Sequence, residues 1–368
     1  PRLKDFGETR AKQRLFPVIN MTLNVTAGQN KASAERKTEC FIATPLVCGA
    51  AELRHPGQAA DEVFPRGAFV ASSEYAGMDS SADRRDEHEG VSVGTVLTIS
   101  GAAVSPTWGY HTSRMTAFLM TLFNVRLGAW LPNPAVATAK ELRLAKPRNS
   151  VIALMSELLG ATSDDSQAVY LSDGGHFESL GLYEMLRRRC REIVVIDAGQ
   201  DKDCTMADLG NAIRKAAIDL RAEVTMAPMR IRSRREIEEN AAGSERALGF
   251  AIGTIRYPED PQGEPGGRLV YVKPAFLKDI PADVHAYGEV DKSFPDGDSL
   301  DLWFTESQFE SYRSLGQWEM HQILDAALAA KGSGGAAGLV LGDVFAAAER
   351  MAAASPGACG AEKPPAPA

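Results

Sequence analysis

The sequence has no C-x-x-C pair and no cluster of cysteine and histidine at zinc-ligand spacing. Its five cysteines, Cys40, Cys48, Cys190, Cys204 and Cys359, are scattered and odd in number. That pattern argues against a disulfide scaffold or a zinc motif and makes a reducing compartment the simpler inference. Of the five, Cys190 falls at an apolar position of a predicted helix and reads as core. Neither G-x-x-x-x-G-K-[ST] nor G-x-G-x-x-G occurs, so nothing points to a cradle for nucleotide phosphates. Positive charge is not in excess either: 40 Lys and Arg stand against 48 Asp and Glu, a formal charge of −8. With a pI near 5.4 there is no general electrostatic reason to bind nucleic acid or an anionic membrane. No apolar run reaches bilayer length. The longest, Met115 to Leu131, is interrupted by Arg126 and Gly128 and reads as a buried helix, with an interfacial helix touching lipid as the alternative. The sequence shows no signal peptide and begins Pro1-Arg2-Leu3, so it is expected to be a fragment or processed piece whose preceding segment carries any targeting. Cytoplasmic and membrane-associated locations both stay open.

What is present is ordinary for a globular chain. Its 368 residues are 44% hydrophobic and 24% charged, enough for one large α/β domain or two smaller ones. The most informative stretch is Tyr170-Leu171-Ser172-Asp173-Gly174-Gly175-His176-Phe177-Glu178, a short apolar strand ending in a carboxylate and two glycines ahead of an amphipathic helix. Glycines at 174 and 175 permit positive φ or close backbone approach and leave Asp173 unshielded at a strand end. The plainer reading is an Asp-Gly turn joining a strand to a helix.

Strands are expected over residues 16–26 and 39–47, pairing as neighbours. The polar run from Asp79 to Gly90 reads as an exposed loop in which His88 is merely solvated. An apolar, β-branched run follows from Val91 to Ser100, then the small residues Gly101-Ala102-Ala103-Val104-Ser105-Pro106. Helical spacing marks residues 112–125 and 151–159. After the central stretch, Leu180, Leu182, Tyr183, Leu186 and Cys190 form a helical stripe. Arg187-Arg188-Arg189 at its end suits the helix dipole, with a headgroup or phosphate site as the second reading. Residues 192–199 read as a strand buried on both faces of a parallel sheet, and residues 206–224 as a helix. This βαβα rhythm predicts an α/β fold with helices on both faces of a mostly parallel sheet. Residues 248–257 and 268–272, joined by a Pro- and Gly-rich loop, suggest a hairpin at the sheet edge. The domain is expected to close near Ala330, leaving residues 331–368 as a linker-like tail with a short helix over 339–354.

Two readings of the chemistry compete, and Asp173 has a rival carboxylate. Asp173, His176 and Glu178 give D-x-x-H-x-E, which invites a metal site, although no further histidine cluster supports it. His55, His111, His285 and His321 are isolated in sequence. For a serine hydrolase, Ser100, Ser105, Ser172 and Ser179 lie in suggestive places, but none carries the two flanking glycines of a nucleophile elbow. Asp197, before Ala198-Gly199, is a rival carboxylate that also reads as a turn or capping residue.

Taken together, several stretches resemble the bacterial branch of the patatin-like phospholipases, a family related to the cytosolic phospholipases. They are Ser172-Asp173-Gly174-Gly175, the expected helix over residues 177–189, the strand ending Asp197-Ala198-Gly199, Phe41 to Leu46 with Gly49, Thr98 to Pro106, and Trp303 to Arg313. They run in order over about residues 15 to 320. The resemblance implies a patatin-like central, mostly parallel sheet flanked by helices and incomplete at its N-terminus. It also implies an acyl-ester hydrolase with a Ser-Asp dyad and no cofactor. Asp173 then carries over as the dyad base, Gly174 and Gly175 as its turn, and Ser105 and His176 as pocket rim. The G-x-S-x-G nucleophile segment and the oxyanion loop belong to an N-terminal part not matched here. The implied partners are a lipid or other acyl ester and a peripheral membrane contact, with no nucleic acid. The alternative is a catalytically inactive lipid-binding or scaffolding relative.

Overall fold

The computed structural model describes residues 1–6, 15–25, 36–53, 67–77, 90–102, 128–145, 166–239, 247–261, 266–298, 303–331 and 338–354. They fall into two compact units, Pro1–Ser179 and Leu180–Ala368.

In the first unit, β1 (Ile19–Asn24), β2 (Thr38–Ala43), β3 (Val47–Ala50), β4 (Ala68–Ala71), β5 (Ala129–Pro132) and β6 (Ala168–Asp173) form one sheet in the order β4-β3-β2-β1-β6-β5. Every pairing in it is antiparallel. β1 and β2 are neighbours as expected, but the single strand expected over 39–47 is two. Thr44 breaks it, its Oγ1 accepting from the backbone N–H groups of Leu46 and Val47 at 3.3 and 3.0 Å and so closing a tight turn. The apolar, β-branched run 91–100, given no secondary structure from sequence, forms a helix, α1 (Val93–Ser100). The side chain of Ser92 caps it by accepting from Thr95 N at 2.9 Å, and Val96 and Ile99 bury its inner face. These join Met21, Leu23, Phe41, Leu131, Val169 and Leu171 in the core. A single helical turn, α2 (Ala139–Leu142), is closed by the Thr138–Glu141 capping box.

In the second unit, β7 (Glu192–Ile196), β8 (Glu223–Met226), β9 (Phe250–Arg256) and β10 (Gly267–Val272) form a sheet in the order β7-β10-β9-β8. Its helices are α3 (Leu182–Arg187), α4 (Ala207–Leu220), α5 (Arg234–Glu238), α6 (Ala282–Val290), α7 (Glu306–Lys331) and α8 (Leu341–Ala354). Period-two alternation divides the sheet's side chains between two cores. Ala251, Ile255, Leu269 and Tyr271 pack with Leu182 and Leu186 of α3 and with Leu209, Ala212 and Ala216 of α4. On the other side, Phe250, Val270 and Val272 pack with Ile323 and Ala327 of α7 and with Val344, Phe345, Ala347 and Ala348 of α8. Apolar packing therefore continues past Ala330 into α8, while residues 355–368 lie outside the described residues.

The α/β class and the helices on both faces of the second sheet match expectation; the mostly parallel central sheet does not. Among the described residues only β7 and β10 run parallel, and β6 belongs to the antiparallel sheet rather than pairing with β7. β7 is an edge strand whose Ile196 is 65% exposed, so it is not buried on both faces. The β9–β10 hairpin, expected at an edge, occupies the middle of its sheet because β7 and β8 add outside it. The helix expected from Phe177 starts only at Leu182. Gly181 sits just before it in the left-handed region, at φ 68. The helices expected over 112–125 and 151–159 fall outside the described residues.

Candidate active-site turn

Strand β6 ends at Asp173, and Gly174–His176 make one turn of 3-10 helix capped by that aspartate. Asp173 Oδ1 accepts from Gly175 N at 2.6 Å. Its Oδ2 makes no hydrogen bond among the described residues, and the side chain is half-buried. Neither glycine has positive φ. Gly174 is required by close approach, since a Cβ there would stand 2.8 Å from the Asn20 carbonyl oxygen of β1. Gly175 is less constrained, a Cβ meeting Asp173 Oδ1 at 3.0 Å and Ser179 Oγ at 3.3 Å.

β1 pairs antiparallel with β6, placing Met21 opposite Asp173 and Thr22 opposite Ser172. Alternation puts Thr22, Asn24 and Ser172 on one face of the sheet, all of them at most 1% exposed. Thr22 Oγ1 donates to Gly174 O at 3.2 Å and accepts from Phe177 N at 3.0 Å. Asn24 Nδ2 donates to Ser172 Oγ at 2.8 Å, and Ser172 Oγ lies 2.9 Å from His176 Nδ1. Two buried polar residues of β1 thus hold the chain on both sides of Asp173. Sequence reading did not single them out. Their signal was the alternation Met21-Thr22-Leu23-Asn24-Val25, with polar residues on a face that the fold nevertheless buries.

No family model matches the sequence, and no curated protein matches it. It is similar to a solved structure, human GIVD cytosolic phospholipase A2. The TM-score is 0.48 at 12% identity, over 95% of this chain and 47% of that one. This chain spans about half the length of that structure.

The rival carboxylate is fully engaged. Asp197, 4% exposed, accepts from Gly199 N at 2.8 Å through Oδ1. Through Oδ2 it accepts from the Tyr271 hydroxyl and stands 3.5 Å from Lys273 Nζ. Lys273 also donates to Gly199 O at 2.9 Å. Burial, and then the hydrogen bond to Asp197, push the Tyr271 hydroxyl far up, so it stays a donor. Asp197 is therefore a turn residue inside a closed polar network.

The arginine run is likewise spent on protein partners. Glu184, its side chain 1% exposed, receives Arg187 and Arg188, each at 2.7 Å. Arg189 pairs with Glu259 at 2.9 Å and lies over the Tyr257 ring. This favours the helix-end reading over a headgroup site.

Asp173, His176 and Glu178 do not form a metal site: among the described residues no group of three or more His, Cys, Asp or Glu is placed to hold a metal ion. Ser105 and His111 lie outside the described residues. Ser100, at the end of α1, donates to the Asn20 carbonyl at 2.7 Å.

Against the expectation that every G-x-S-x-G lies outside this chain, one does occur, Gly90-Val91-Ser92-Val93-Gly94. Its geometry is that of a helix cap, with Ser92 extended at φ −78, ψ 148 and its Oγ occupied by Thr95 N. A nucleophile elbow instead holds its serine on a sharp, strained turn. Ser92 also starts the helix whose opposite end, Ser100, reaches β1 beside the Asp173 turn.

Proposed function

We propose that this chain carries the base of a serine-aspartate acyl-ester hydrolase of the patatin-like kind, with Asp173 as that base. The nucleophilic serine is then supplied by a segment preceding these 368 residues, and the substrate is a lipid or other acyl ester. One observation carries the reading: Asp173 closes a strand on a Gly-Gly turn with Oδ1 fixed by Gly175 N and Oδ2 left open. The family motifs quoted from the sequence support it. On this reading residues 1–330 are the C-terminal part of the catalytic domain, Gly174 and Gly175 form the turn that supports the base, and His176 stands at the pocket rim.

The chemistry passes two protons through Asp173, one in each half-reaction. Asp173 Oδ2 accepts the serine proton as the serine oxygen attacks the ester carbonyl, and backbone N–H donors of a glycine-rich loop stabilise the oxyanion. Collapse of the intermediate expels the alcohol, which takes the proton from Asp173. Water then loses a proton to the same carboxylate as it attacks the acyl-serine, and the serine leaves with that proton.

The test is acyl release from phospholipid vesicles and from a soluble ester by the full-length protein and its Asp173→Asn variant. Loss of the base is expected to reduce turnover by about 10²- to 10⁴-fold with an unchanged denaturation midpoint. Retained turnover in the variant would sink the assignment. Vesicle binding by the full-length protein without acyl release would establish the non-catalytic lipid-binding relative instead.

A further inference from the structure

We propose that Thr22 is a positioning residue for the Asp173 carboxylate, acting from the neighbouring strand through the turn that follows it. The inference rests on the reading of Asp173 as the base.

Thr22 is wholly buried, and a buried hydroxyl without partners is costly, so the sequence tolerates one there only if both its capacities are used. Its Oγ1 spans the turn, donating to Gly174 O at 3.2 Å and accepting from Phe177 N at 3.0 Å. The same Gly174 carbonyl already accepts from Phe177 N at 3.1 Å and from Glu178 N at 2.9 Å. The single turn is thereby tied to β1 at its first and last peptide. The Gly175 N–H that fixes Asp173 Oδ1 belongs to the same peptide unit as the Gly174 carbonyl that Thr22 holds. Fixing the peptides around residue 175 fixes the direction of the carboxylate, and with it the place of Oδ2.

Three features separate this from generic packing. Thr22 faces Ser172 across the strand pair rather than Asp173, so it acts through backbone. A valine there has nearly the same shape but neither bonding capacity. A turn of three residues has no long hydrogen-bond ladder of its own to hold it. A displacement of the base by about 1 Å is enough to cost on the order of 10²-fold in rate.

The experiment compares Thr22→Val and Thr22→Ser. In the full-length protein, Thr22→Val is expected to lower kcat about tenfold or more with KM within about twofold, and Thr22→Ser to restore most of it. In the 368-residue chain, hydrogen exchange of the Gly175 amide is followed beside that of the β1 and β6 amides, since its hydrogen bond to Asp173 Oδ1 reports where that carboxylate is held. Wild type and Thr22→Ser are expected to show the same protection at Gly175, and Thr22→Val a loss of about tenfold or more there with the strand amides unchanged. If Thr22→Val does not fold, Thr22→Ala is read in the same way. Gly175 protection unaffected by loss of the hydroxyl, or an unchanged kcat in an active full-length enzyme, overturns the proposal. If the wild-type full-length protein hydrolyses no ester, the proposed function fails, and the Gly175 exchange alone decides the role of Thr22.

Discussion

Ser172 Oγ lies 2.9 Å from His176 Nδ1, and the direction of the proton between them is fixed from the far side. Asn24 Nδ2 also faces the carbonyl oxygens of Thr22 and Tyr170, which only accept, so this end of the amide is the NH₂. It therefore donates to Ser172, leaving the serine hydrogen for His176 Nδ1 and placing the proton of the neutral ring on Nε2. Nitrogen-detected spectra of the neutral ring are expected to show that tautomer in wild type and a mixture in Ser172→Ala. A wild-type ring protonated on Nδ1 would refute the arrangement. The variant is expected to lose only about 1 kcal/mol, because Asn24 keeps its two carbonyl partners.

Gly174 and Gly175 are adjacent, and the structure predicts unequal costs for them. A methyl at 174 meets a backbone oxygen of β1 at 2.8 Å, which cannot move without disturbing the strand pair. At 175 the nearest atoms are side-chain oxygens that can shift. Gly174→Ala is expected to cost about 1 to 3 kcal/mol, and Gly175→Ala distinctly less, by urea unfolding. Equal costs would mean that close approach is not what selects glycine at 174.

Local features of the candidate site were legible in the sequence, and its framing was not. The strand ending at Asp173 and the turn after it follow from apolar residues running into Asp-Gly-Gly. That β6 lies between β1 and β5 does not follow, because strand order depends on partners far away in the chain. The strand, turn, helix, strand rhythm suggested parallel pairing of β6 with β7. The structure instead pairs β7 with β10, opposing Glu192 and Arg268. Thr22 and Asn24 read as ordinary strand residues, since their importance depends on which turn they face. The Ser92 motif shows the reverse case, in which a pattern fits and the backbone conformation gives it a different role.

Lys273 and Asp197, 1% and 4% exposed, compensate one another in the second unit. Removing the ammonium leaves a buried carboxylate with only Tyr271 and Gly199 N. Lys273→Met is expected to cost about 3 to 5 kcal/mol in urea unfolding, and adding Asp197→Asn to recover part of it. Strict additivity of the two changes would show that the pair is not coupled.

Glu319 sets a pH dependence of opposite sense to that of most carboxylates. It sits in the middle of α7, 5% exposed, with Oε1 accepting from Ala275 N at 2.8 Å and packed against Gly249. Burial raises its pKa from 4.5 to about 8, the Ala275 hydrogen bond opposing the rise. The folded state thus holds the proton more tightly than the unfolded state. Below about pH 4.5 both states are protonated and Glu319 contributes no slope. Between there and about pH 8 the unfolded chain releases its proton first, so stability falls as pH rises; above that the full penalty is present. Glu319→Gln keeps the acceptor for Ala275 N and removes the titration. The variant is expected to match wild type near about pH 4.5 and to exceed it at about pH 9 by an amount on the order of a few kcal/mol, read as a urea midpoint. A wild-type minus variant difference that does not change with pH would show that Glu319 is not held protonated in the fold.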